Sequence, residues 1–129
     1  MSAMTNGIGW FEVGTDRPEV AERFYGEVFG WTFADDESTT ATGVPYRIVT
    51  TPATAGIRGG LVATGGATPN YAVFTIMVAD TEATCRQVEA AGGKVLVGPQ
   101  REQSGLTFAH LLDPGGNRFG VFTPPGANA

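Results

Sequence analysis

Apolar positions along the chain change their spacing in a fixed order, and the order occurs twice. In IGWFEVG (Ile8–Gly14) apolar residues stand on both alternating faces, the pattern of a buried strand. Val20, Phe24 and Val28 then recur at four-residue intervals and predict a helix whose apolar stripe a sheet should cover. Asp16, three residues before Glu19, resembles a capping box, Pro18 suits a first turn, and Gly30 suits a helix end. Short strands follow at 31–33, 46–51 and 59–64, with the polar stretch ADDESTTATG between the first two expected to be a mobile loop. The order restarts at YAVFTIMVA (71–79). Asp80 is placed to cap a second helix carrying Cys85, Val88 and Ala91 on one face, and Gly92-Gly93 closes it. KVLVGP, LTFAHLL and RFGVFTP complete the set, the last two joined by a hairpin turn in Asp113-Pro114-Gly115-Gly116-Asn117.

Asp16 and Asp80 are 64 residues apart, and only two copies of the pattern exist. That implies a duplicated supersecondary unit rather than a solenoid. The expected fold is α+β: one domain, 1–129, made of two βαβββ modules at about 7–64 and 71–124, joined through GGATPN. One helix covers one face of each sheet. The other faces are expected to curve around a cavity, the default place for a binding site. With two modules per chain, a homodimer is expected.

Composition narrows the function classes. The chain is 42% hydrophobic and 16% charged, enough to bury a core, and its net charge of -5 comes with no basic stripe, which argues against nucleic-acid binding. Cys85 is the only cysteine, so neither an internal disulfide nor a cysteine-built zinc site is expected. No apolar run approaches the ~20 residues of a membrane span, and the N-terminus lacks a signal-peptide pattern. The default expectation is a cytoplasmic protein with no membrane partner.

The helix motif RFYGEVFGW (Arg23–Trp31), the Ala-Gly-Gly that ends the second helix and LLDPGGNRFGVF together resemble the vicinal oxygen chelate superfamily. That superfamily holds glyoxalase I, extradiol dioxygenases, and the fosfomycin- and bleomycin-resistance proteins. The resemblance spans about Gly7 to Pro124 and implies its fold, a cavity lined by both modules and, in many members, a divalent metal. Metal ligands would come from the first and last strand of each module. Carried onto this chain, three positions fall on Trp10, Val73 and Gly120, and the fourth lies within 44–66, which contains no Asp, Glu, His or Cys. None of these residues replaces water around a divalent ion. The resemblance therefore implies the metal-free branch, with no cofactor: a protein that binds a small aromatic or drug-like molecule. The alternative is an enzyme of the lyase, isomerase or dioxygenase kind, metal-free with Glu12 as acid or base, or metal-dependent through an unusual set such as Glu12 and His110.

Strand alternation nominates the residues for such a site. Trp10 and Glu12 share one face of the first strand, with Phe11 and Val13 expected under the helix. Desolvation among aromatic rings would favour the neutral acid form of Glu12 and suit it to proton transfer, unless an arginine such as Arg118 pairs with it. Thr75 and Met77, and Arg118, Gly120 and Phe122, occupy the equivalent faces in the second module. Trp10, Met77 and Phe122 would form an apolar, aromatic wall. Tyr46 and Tyr71 offer hydroxyls, and Arg58, flanked by Gly59-Gly60, offers a cation. His110, the sole histidine, is either an acid–base group or a satisfied histidine on an edge strand.

Overall fold

The computed structural model describes residues 5–36 and 46–126. Most of ADDESTTATG lies outside them. The chain forms two compact units: one is Trp10–Ala72, and the other joins the described residues up to Gly9 to those from Val73 onward.

The first module contains β1 (Ile8–Thr15), α1 (Pro18–Phe29), β2 (Thr32–Asp35), β3 (Tyr46–Thr50) and β4 (Gly59–Ala63). The strands lie in the order β2-β3-β4-β1, with β1 parallel to β4 and the other pairs antiparallel. The second module contains β5 (Tyr71–Met77), α2 (Thr81–Ala90), β6 (Lys94–Arg101), β7 (Thr107–Leu112) and β8 (Arg118–Thr123). It repeats the arrangement: order β5-β8-β7-β6, with β5 parallel to β8 and the remaining pairs antiparallel. The expected α+β class with two βαβββ modules is thus the fold. The division between the units is not at the joint alone: Asn6 N–H donates to the Met77 carbonyl (2.7 Å) and Met77 N–H to the Gly7 carbonyl (3.0 Å).

The two helices start differently. Asp80 caps α2 as expected, its carboxylate accepting from the Ala83 N–H at 3.0 Å. Asp16 does not cap α1. It is held by Asn70 through two hydrogen bonds of 3.1 Å, and the N-cap is Arg17, with no side-chain cap. Pro18 at the first helical position needs no N–H partner, which lowers the demand for a cap. Gly30 ends α1 in the left-handed region (φ 74°), where its N–H reaches the Gly26 carbonyl.

The apolar stripe of α1 corrects a second expectation. Val20, Phe24 and Val28 do not face the sheet; they are 46%, 53% and 57% exposed. The half-buried residues of α1 are Pro18, Ala21, Glu22, Tyr25 and Gly26. Two attachments rotate the helix this way. Glu22 accepts both Nε–H and NH2 of Arg47 on β3 (3.0 and 3.1 Å), a fork that also reaches Asp35 (2.8 Å). Tyr25 stacks on Trp31, centroids 4.6 Å apart and planes 8° from parallel. Trp31 in turn touches Phe11, which stands on the sheet face turned toward the helix.

The second module has the drier core. Val78, Cys85, Ala109, Leu111 and Val121 are buried together beneath α2, with Ile76, Val88, Val95 and Phe119 around them. Burial, and next to it the charge of Glu89, pushes the Cys85 thiol above its ordinary value, so it is an unreactive core residue. Thr81 and Thr123 are buried beside this core but satisfied: their hydroxyls meet at 2.7 Å, and Thr123 donates to the Val78 carbonyl at 3.0 Å.

Candidate functional site

On the sheet face of the first module turned away from α1, four side chains form a connected polar network. Trp10 Nε1–H donates to the Tyr46 hydroxyl at 3.0 Å. Tyr46 donates to one Glu12 oxygen at 3.1 Å, and Tyr71 donates to the other at 2.6 Å. Trp10 and Glu12 share this face by alternation, and β-pairing sets Glu12 beside Gly60 and Gly60 beside Ile48. Tyr46, two residues before Ile48, shares its face.

Glycines make the network possible. A side chain at Gly60 would collide with the Tyr46 ring and hydroxyl, and one at Gly14 with the Tyr71 ring. Both tyrosines therefore rest on bare backbone, and their hydroxyls converge on one carboxylate. Burial, reinforced by the negative Glu12, pushes the Tyr46 phenol well above its ordinary value. Tyr46 thus remains a neutral donor at physiological pH and relays polarity from Trp10 to Glu12. The result is a floor of aromatic rings around an oriented acceptor. Tyr71, a minor candidate by sequence, makes the shortest bond to Glu12, and Gly14 and Gly60 had no local signal beyond being glycines inside strands.

The second module gathers the other candidates. Register places Thr75, Gly120 and His110 side by side across β5, β8 and β7, and Met77, Phe122 and Phe108 in the neighbouring row. These positions alternate with Ile76, Val121, Ala109 and Leu111 of the core, so they stand on the face away from α2. His110 is not on an edge strand: β7 lies between β8 and β6. Its Nδ1 lies 3.2 Å from NH2 and 3.4 Å from Nε of Arg118. Arg58 is exposed, in the loop before β4.

The missing side chain of Gly120 leaves no open space. An added Cβ would lie 3.1 Å from Thr75 Cγ2 and 3.2 Å from Thr75 Oγ1, so the threonine already fills the gap. The divalent metal found across much of the resembling superfamily does not fit these residues. Trp10 spends its one N–H on Tyr46, Val73 has no donor atom, and Gly120 lies under Thr75. Among the described residues no three His, Cys, Asp or Glu side chains converge. Also among the described residues, no helix is long and apolar enough to cross a membrane.

Comparison with known proteins agrees with the topology. Residues 7–121 match the model of the Glyoxalase/Bleomycin resistance protein/Dioxygenase superfamily. A Mycobacterium bovis protein described as "Putative glyoxylase CFP32" is 34% identical over 127 residues, covering 93% of this chain and 45% of that protein. The "Anthracycline biosynthesis protein DauV" of Streptomyces sp. strain C5 is 35% identical over 121 residues, covering 94% and 42%. The chain therefore spans less than half the length of these relatives. Among solved structures, methylmalonyl-CoA epimerase from Mycobacterium tuberculosis superposes with a TM-score of 0.65 at 17% identity, over 96% of this chain and 93% of that one, a likeness of fold.

Proposed function

The chain belongs to the glyoxalase/bleomycin resistance protein/dioxygenase superfamily, and from that premise we propose that it binds a small, flat, aromatic organic molecule without a metal. The observation that carries this reading is the Trp10–Tyr46–Glu12–Tyr71 network. It occupies a strand position where the family's metal ligand would stand with an indole hydrogen bonded to a phenol. Rings resting on glycine backbone offer stacking surface, and the Glu12 carboxylate, with about four acceptor sites, suits a hydroxyl or amine of the guest. Two relatives at 34–35% identity are described as anthracycline biosynthesis proteins, which favours polycyclic aromatic natural products as the ligand class. Arg58 would meet an anionic substituent, and Thr75, Met77, Arg118 and Phe122 would offer contacts of their own within the second module.

A thermal-shift screen in chelator, against polycyclic aromatic metabolites and antibiotics, tests the proposal. A ligand that binds only the folded chain raises the midpoint, and 100 times its Kd corresponds to about 2.7 kcal/mol. The E12Q and W10F variants should lose that shift.

A second reading is an enzyme using Glu12 as the proton-transfer group and His110 as a further acid or base. The 2.6 Å bond that Tyr71 donates to Glu12 favours it, because it holds the carboxylate in one orientation, as a proton-transfer group requires. Turnover of the identified ligand, with kcat lowered in Y71F and ligand affinity kept, would select this reading over binding alone.

A further inference from the structure

We propose that the outward face of α1 is a self-recognition surface on which a second copy of this chain docks antiparallel. Val20, Phe24 and Val28 of each protomer would interleave with those of its partner, and Arg23 would pair with Glu27 across the two-fold axis. The proposal does not rest on the ligand-binding reading.

The starting observation is where the helix spends its apolar residues. Val20, Phe24, Val28 and Phe29 are all about half exposed, while Ala21, Glu22, Tyr25 and Gly26 take the inward positions. A continuous stripe of large apolar side chains on one helix is the kind of exposed patch that marks an interface. Alongside it runs a second exposed row, Glu19, Arg23 and Glu27. Among the described residues neither Arg23 nor Glu27 is in an ion pair, because the α1 salt bridge to the sheet uses Glu22.

The two rows together favour a copy of the same helix as the occupant. At about 1.5 Å rise per residue, the stripe residues stand about 6 Å apart along the axis. An antiparallel partner with the two-fold axis level with Tyr25 places its own Val20, Phe24 and Val28 midway between them. The same axis sets residue 23 of each helix level with residue 27 of the other. In an antiparallel pair like flanks meet, so Arg23 faces Glu27 twice, reciprocally, as a two-fold interface requires. Shifting the axis to Phe24 would stack the phenylalanines directly and leave Arg23 opposite Tyr25. One register thus satisfies the apolar and the charged row at once. A bound peptide of other sequence would need to reproduce both rows, and a lipid surface would not favour the acidic Glu19 and Glu27.

Sedimentation velocity on the whole 129-residue chain, from about 1 to 200 µM, tests this. Wild type should show a reversible monomer–dimer equilibrium. R23E and E27R should each associate about tenfold or more weakly, because each puts like charges across the axis. An equimolar mixture of R23E and E27R should recover the wild-type association, since every charge in the mixed dimer then meets its opposite. F24S should be monomeric and, at a concentration where wild type is also monomeric, should melt at a similar midpoint, because that ring is already half exposed. Wild type monomeric throughout, F24S still dimeric, or a mixture no tighter than either variant alone would each overturn the proposal.

Discussion

Gly60 and Gly14 decide where the two tyrosines lie, and through them where the Glu12 carboxylate points. Replacing Gly60 by alanine should force the Tyr46 ring off the strand, break the Trp10–Tyr46–Glu12 chain and cost about 1–3 kcal/mol in chemical denaturation. Gly120 should behave more gently, since an added Cβ there would lie 3.1 and 3.2 Å from the two γ atoms of Thr75 rather than overlap a ring. G120A should cost less than G60A, and less again in a T75A background, a coupling that a double-mutant cycle reads directly. Asp113 gives a pH-dependent case. Hydrogen bonds from the Asn117 N–H and side-chain amide hold its carboxyl below the ordinary carboxylate value. A depressed folded value means that its contribution is complete above the unfolded value of about 3.9 and is lost as pH falls through the folded one. D113N should therefore flatten the acid limb of a stability–pH profile. The Asp113–Asn117 turn was legible in the sequence because every partner lies within five residues. The Gly60–Tyr46 contact was not, because it joins two strands whose pairing no local pattern reveals.

At the scale of elements, the helices show why one cap was readable and the other was not. Asp80 has no competitor and takes the Ala83 N–H, so D80A should lower stability by about 1 kcal/mol. Asp16 has a competitor 54 residues away, and its hydrogen bonds to Asn70 replace the cap. D16A should leave the start of α1 unchanged and loosen the loop that carries Asn70, which amide exchange at 66–70 would report. The rotation of α1 has the same origin. Periodicity located the stripe correctly as a helix face, but not the direction it would turn. That depended on Arg47 and Trp31, whose pairing with Glu22 and Tyr25 is tertiary. In α2 no polar clamp competes, and Cys85 and Val88 went inward as their spacing implied, while Ala91, at the C-cap, is exposed. The buried hydroxyl pair beside it gives a further test. T81V keeps the shape of the side chain but removes one partner of Thr123, and should cost about 1–3 kcal/mol.

At the scale of the whole molecule, the duplication was the most legible feature. Two like orders of strand and helix 64 residues apart became two modules of the same strand order. What could be read at the family's ligand positions was their chemistry, Trp10, Val73 and Gly120; what they do instead was not readable. Trp10 anchors a hydrogen-bonded network and Gly120 accommodates Thr75, roles set by neighbours on other strands. The central claim is that the Glu12 network forms a metal-independent binding surface for a flat aromatic guest. The most direct measurement is a titration of chelator-treated protein with anthracycline-type and related polycyclic ligands, followed by tryptophan fluorescence. The account predicts saturable 1:1 quenching with a Kd in the micromolar range, about -8 kcal/mol, weakened at least tenfold in E12Q and Y71F. Binding that needs an added divalent metal, or that E12Q and Y71F leave unchanged, would contradict it.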